Sequence, residues 1–272
     1  MTASSLNSRE KRAAVSLASV FAFRMLGLFM LMPVLAIYGQ QLEGFSPLWI
    51  GFAIGAYGLT QAVLQIPMGW LSDKIGRKKV IIGGLCVFAL GSVIAATAES
   101  VQMVTLGRAL QGMGAIASAL LALASDLSRD EQRPKVMAVI GMCIGMSFAV
   151  AMLLGPIVAA SWGVAGVFWL TAGLAILGIL IVLFLVPNAV NKAPKGDTLA
   201  TLDDIKQLIK HPQLACLDFG VMLLHLTLTT VFVALPGQLI KDGLVADHHW
   251  YLYIPVLFLA FFLMAPMMIV AI

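Results

Sequence analysis

Eight apolar runs leave this chain few ways to fold. They cover residues 14–38, 48–72, 80–98, 101–124, 136–160, 164–187, 214–240 and 250–272. Each approaches the roughly 20 apolar residues a helix needs to cross a hydrocarbon core of about 30 Å. Lipid offers no water to pair backbone N–H and C=O groups, so each run must be a helix. The chain is 61% apolar and 11% charged, whereas a soluble domain carries about 25% charged residues. The expectation is an all-α membrane protein. The first run is too long for a signal-peptide core and contains Arg24, so it reads as a retained span.

The basic residues orient the spans. Arg9, Lys11 and Arg12 precede the first. Lys74, Arg77, Lys78 and Lys79 join the second to the third, and Arg129, Arg133 and Lys135 join the fourth to the fifth. Lys192, Lys195, Lys206 and Lys210 join the sixth to the seventh. Fourteen of the 17 Lys and Arg residues thus lie on one side, and only Lys241 lies in an opposite loop. By the positive-inside rule the N-terminus and these loops are cytoplasmic. The net charge of +4 is small and follows the membrane, so no nucleic-acid partner is expected. Cys86, Cys143 and Cys216 sit in apolar runs without metal-ligand spacing, so neither a metal nor a cofactor is implied.

The longest connection, 188–213, divides the chain. Pro194, Gly196 and Asp197 break structure there, and "TLDDIKQLIK" then reads as a short amphipathic helix on the membrane surface. Residues 1–187 are therefore expected to form a six-helix N-terminal half, 188–213 a cytoplasmic linker, and 214–272 the first two helices of a second half. "LAIYGQQL" and "VALPGQLI" match faintly at an offset of 198 residues, as repeated halves would. The chain ends at Ile272 inside an apolar run, so it is expected to be part of a longer protein.

"GWLSDKIGRKK", residues 69–79, asks for more than a solvated turn. Asp73 lies at a helix C-terminus, where the macrodipole favours cations. Two arrangements offset it. Arg77 stands four residues on, the better order for an acid–base pair if the backbone stays helical. Alternatively Asp73 caps the third span, with Gly76 permitting the turn. Gly69 lets a neighbouring helix approach. Asp126 closes span 4 on the same side, so Asp73, Arg77 and Asp126 form a candidate latch between helix groups.

This stretch resembles the signature Gly-x-Leu-(Ser/Ala)-Asp-(Arg/Lys)-x-Gly-Arg-(Arg/Lys)-(Arg/Lys) of the major facilitator superfamily, which lies between helices 2 and 3. Three further stretches resemble motifs of its twelve-span drug–proton antiporters. They are "RMLGLFMLMPVL" (24–35), "LGRALQGMGA" (106–115) and "GPIVAA" (155–160). The last has alanines at 151, 159 and 160 where glycines are usual. The resemblance implies two six-helix halves rocking about a central site. It implies that the charged hairpin holds one posture, and that Arg108 takes part in proton coupling. It further implies export of a small amphiphilic compound against protons by one chain acting as a monomer.

Ionisable groups inside the membrane are functional candidates by default. Arg24 and His225 each lie about ten residues from the cytoplasmic end of their spans, near mid-depth at ~1.5 Å per residue. Both are read as facing one cavity, His225 as a candidate proton carrier. For each, a structural hydrogen bond is the rival reading, and for Arg108 the rival is a bond to backbone carbonyls. Tyr57, Gln61 and Gln65 form a polar stripe on span 2, read as cavity lining or as helix–helix hydrogen bonding. Gln111 is a further cavity candidate, with a packing role as its rival. Gly141 and Gly145 read as a packing pair, and Gly155-Pro156 as a bend in span 5. No H-E-x-x-H, G-x-S-x-G, nucleotide-binding loop or channel filter occurs, so enzyme, ATP-driven and channel readings are disfavoured. A uniporter, symporter or sensor of the same fold remains the alternative to antiport.

Overall fold

The computed structural model describes residues 6–188, 211–245 and 248–271. The expected surface helix and linker breaks at 189–210 lie outside these. The helices are α1 (Ser8–Tyr38), α2 (Pro47–Ile75), α3 (Arg77–Ala96), α4 (Val101–Met113), α5 (Ala117–Asp126), α6 (Arg133–Phe184), α7 (Pro212–Lys241) and α8 (Trp250–Ala271). No strand occurs among the described residues. Among the described residues, six helical stretches are long and apolar enough to cross a membrane.

Side-chain and backbone chemistry set the ends. Asn7 accepts from the Glu10 N–H at 2.8 Å while Glu10 accepts from the Asn7 N–H at 2.9 Å, a reciprocal cap that starts α1. Ser46 and Ser100 cap α2 and α4. Gly76, at φ 103°, turns the chain between α2 and α3, a conformation other residues resist.

The 52 residues of α6 make two passes. Their dihedrals leave the helical region only at Gly163 (φ 65°, ψ −170°). Val136 and Ile140 near the start of α6, and Val182 near its end, enter one core cluster with α1, α3 and α5. Ala151, Val158, Val167 and Phe168 enter a second cluster with the opposite ends of α1 and α2. The helix therefore folds back on itself. Spans 5 and 6 are as the sequence implies, but the chain turns at Gly163, and the dihedrals through Gly155-Pro156 stay helical. Gly155 instead provides close approach, since a Cβ there would lie 2.8 Å from the Met30 carbonyl oxygen of α1.

Two other expectations are corrected. Span 4 is not continuous: it breaks at Gly114–Ile116 into α4 and α5. Close contact with α3 attends the break. A Cβ at Gly91 would lie 2.6 Å from the Gly107 carbonyl oxygen, and one at Gly107 would lie 2.7 Å from that of Gly91. Gly141 is no packing residue among the described ones, for nothing lies within 4 Å of a Cβ placed there.

Two apolar clusters thus occupy the two ends of the bundle, one rich in α1, α3 and α6 at the basic end, the other at the opposite end. Between them lies a small cluster around Tyr57 and Phe88. An edge-to-face chain of rings, Phe29–Phe148–Phe232, joins α1, α6 and α7 at centroid spacings of 5.0 and 5.1 Å.

Candidate functional site

Two polar constellations stand out from this apolar frame. The first forms a waist between the two clusters. Arg24 of α1 is 2% exposed and Arg108 of α4 is 1% exposed. Their guanidinium carbons lie 5.9 and 4.6 Å from the same Tyr57 ring. Arg24 also lies 5.8 Å from the Phe88 ring. Aromatic faces attract cations within about 6 Å, so Tyr57 serves both arginines. No ion pair reaches either arginine among the described residues.

The two arginines differ in how they are held. Arg108 donates from Nη1 to Gln111 Oε1 at 2.8 Å and from Nε to the Ala53 carbonyl at 3.2 Å. Gln111 in turn donates to Ser92 Oγ at 2.7 Å, and Ser92 donates to the Phe88 carbonyl at 2.8 Å. This network fastens α4 to α2 and α3. Arg24 donates only from Nη2, to Gln61 Oε1 at 2.8 Å. Its Nε and Nη1 are buried without a partner, as are Tyr57 Oη and Gln65 Oε1.

Two members of the polar stripe on α2 therefore face helices within the half-bundle. Tyr57 meets α1 and α4 and Gln61 meets α1, while the Gln65 main-chain carbonyl accepts from Ser118 Oγ at 3.1 Å. Gln111 is fully buried between α3 and α4, so its expected place on a cavity wall is corrected. The physical reason is that the packed glycines bring α3 and α4 too close for its amide to reach out. His225 is not brought to Arg24: it is exposed, and its Nδ1 lies 2.9 Å from the Val221 carbonyl of its own helix.

The second constellation is the charged hairpin. Arg77 pairs with Asp73 and, from Nε, with Asp126 Oδ2 at 3.2 Å. Its Nη1 also donates to Ser72 Oγ at 2.7 Å. Of the two arrangements left open for Asp73, the pair with Arg77 is the one present, and it spans the break at Gly76. Asp73 does not cap α3, whose N-terminal residue carries no side-chain cap. Gly69 lies beside α5, where a Cβ would meet Ser118 Oγ at 3.2 Å.

One clasp at the same end escapes sequence reasoning. Glu10 is buried and accepts from Arg129 Nε at 2.8 Å, Nη2 at 2.9 Å and the Arg129 N–H at 3.1 Å. These bonds raise the Arg129 guanidinium pKa above its ordinary value. The available signal was a lone acid in the basic run "REKR", three residues after Asn7. Among the described residues no group of His, Cys, Asp and Glu is arranged to hold a metal ion.

Residues 17–272 match the family profile described as Major Facilitator Superfamily. The chain is 49% identical over 262 residues to the inner membrane transport protein YajR of Escherichia coli K12, covering 96% of this chain and 58% of that protein. It is 38% identical to an uncharacterized transporter of Buchnera aphidicola subsp. Schizaphis graminum, covering 94% of this chain and 66% of that one. It thus spans about three-fifths of the length of these relatives. A crystal structure of a bacterial homolog of the human lysosomal transporter Spinster, inward-facing and unoccupied, aligns with a TM-score of 0.68. That match has 14% identity and covers 90% of this chain and 58% of that chain.

Proposed function

Because the chain belongs to the Major Facilitator Superfamily, we propose that it is part of a secondary transporter working by alternating access. Residues 1–187 are the N-terminal six-helix half, 188–213 a cytoplasmic linker, and 214–272 the start of the second half. The transported species is a small amphiphilic compound, exported against protons across a bacterial inner membrane. The N-terminus is cytoplasmic and one chain forms the working unit. A relative named as an inner membrane transport protein supports the location.

The observation that carries this reading is the pair of buried arginines on Tyr57. Holding a guanidinium at mid-membrane costs several kcal/mol, roughly 2.5–3.5 on insertion scales. Arg24 bears that cost with two nitrogens unpaired. A group so placed has more use as a docking point for a changing partner than as a brace. Asp73, Arg77 and Asp126 supply the other element the mechanism needs, an acid–base knot at one end that a movement of helices would break.

One observation favours the alternative, a uniporter, symporter or sensor without proton antiport. The Arg108 donors with assigned partners go to Ala53 and Gln111, the structural reading of that residue. Transport in proteoliposomes, with and without a pH gradient, separates the two. Antiport requires that the gradient accelerate substrate movement, and a coupling role for Arg108 or His225 requires that Arg108→Ala or His225→Ala abolish the acceleration. Movement indifferent to the gradient removes proton coupling.

A further inference from the structure

At the basic end, the main chain collects cations where it leaves α6. Arg12 donates from Nε to the Leu185 carbonyl at 2.8 Å and from Nη2 to that of Phe184 at 3.1 Å. Lys78 Nζ donates to the Val186 carbonyl at 2.6 Å and to Asn188 Oδ1 at 2.7 Å. Arg9 Nη2 donates to the Asn188 carbonyl at 2.6 Å. Three side chains from α1 and α3 thus meet on one short stretch of main chain.

Helix capping explains part of this. The carbonyl end of a helix carries about half a negative charge, which favours a cation. Three full positive charges exceed it several-fold. The neighbouring carboxylates are engaged elsewhere: Glu10 with Arg129, Asp73 and Asp126 with Arg77, Asp130 with Arg133. No ion pair reaches Arg9, Arg12 or Lys78 among the described residues. Their hydrogen bonds also leave donors over: Nε and Nη1 of Arg9, Nη1 of Arg12 and one Nζ proton of Lys78.

The surroundings say what kind of anion fits. Val15, one turn along α1 from Arg12, is exposed, and so are Leu183 and Phe184 of α6 and Leu185 just beyond it. In a membrane-spanning bundle these apolar side chains meet acyl chains. The cations therefore sit at the rim where hydrocarbon gives way to headgroups. We propose that Arg9, Arg12 and Lys78, gathered on the carbonyl end of α6, bind the phosphate headgroup of an anionic phospholipid. Its acyl chains lie along Val15 and Phe184. The lipid ties the start of α1 and α3 to the point where the chain leaves the six-helix half.

The test uses the protein in bilayers of phosphatidylcholine with spin-labelled phosphatidylglycerol or spin-labelled phosphatidylcholine. The motionally restricted fraction reports relative association at the protein surface. Each surface cation contributes about fivefold to attraction for an anionic lipid. Arg12→Gln/Lys78→Gln should lower the preference for phosphatidylglycerol by up to roughly 25-fold. Lys11→Gln/Lys79→Gln makes the same change in net charge away from the cluster and should lower the preference clearly less. Equal loss in both pairs, or no preference in the wild type, overturns the proposal. Arg12→Lys and Lys78→Arg keep the charge while altering the carbonyl bonds. Both should retain the preference, and its loss from the folded variants would reduce the residues to helix caps. Displacement of the label by inorganic phosphate at constant ionic strength would show a free-anion site instead. A preference that emerges only after Asp203→Asn/Asp204→Asn would assign the cluster to the acids of the linker, and the lipid assignment would fall.

Discussion

Replacing Arg24 by methionine separates a functional cation from a structural one. The losses are few. One charge-assisted hydrogen bond to Gln61 disappears, worth about 1.5–3 kcal/mol. Two ring contacts near the outer limit of the cation–π range disappear too, about 0.5–1 kcal/mol each. Against these stand Nε and Nη1, buried and unpaired, each costing about 1–3 kcal/mol. Methionine is flexible enough to fill the space between Tyr57 and Phe88. The terms nearly cancel, so Arg24→Met should leave stability within about 1 kcal/mol. For a chain of this size that is a Tm change of about 2–4 °C, read by thermal unfolding in detergent. Transport in proteoliposomes should fall at least tenfold. A bracing arginine would behave otherwise. Breaking a buried pair costs about 3–5 kcal/mol, or roughly 10 °C. A fall of that size in Arg24→Met, with residual transport tracking the folded fraction, would refute the functional reading.

Three other outcomes follow from the geometry. At the hairpin, Arg77 and Asp126 are 23% and 39% exposed, so solvent screens their pair. Asp126→Asn should then shift the conformational equilibrium by no more than about 1 kcal/mol, roughly fivefold. Labelling of a cysteine placed at the end of the bundle opposite the hairpin would change by that factor, and unchanged labelling in both Asp126→Asn and Asp73→Asn would dismiss the latch. In the Glu10–Arg129 clasp the acid side is 3% exposed and the arginine 46%. Arg129→Gln leaves a buried carboxylate without its ion-pair partner and should destabilise by about 3–5 kcal/mol. Glu10→Gln leaves the charge on the wetter partner and should cost visibly less in a thermal melt; equal Tm losses would contradict the asymmetry. Gly91→Ala and Gly107→Ala each press a methyl onto the other residue's carbonyl oxygen and should cost about 1–3 kcal/mol. Gly141→Ala meets nothing and should be neutral or stabilising by up to about 1 kcal/mol. Thermal melts that rank the three alike would contradict the packing described.

The helical, membrane-spanning character, the basic end and the family motif were legible in the sequence. Each rests on a local rule: hydrocarbon thickness fixes span length, cations collect at one face, and Asp73 needs Arg77 nearby. Local rules put a turn between residues 160 and 164, where Gly163 breaks α6, but did not say where a helix would break within a span. Gly114–Ile116 interrupts span 4, whereas Pro156 keeps helical dihedrals, because contacts between helices decide which weak point yields. Nor did periodicity say which neighbour a polar side chain would meet. Gln61 and Gln111 both lay on plausible cavity faces; packing sent the first to Arg24 and the second to Arg108 and Ser92. Glu10 and Arg129 are 119 residues apart, a separation that only the folded chain closes. The sequence by itself determined that the chain spans a membrane and which end is basic, since both depend on composition over one helix length. Tertiary structure alone decided which buried charges are satisfied and which are left wanting, since that depends on groups brought together from distant helices.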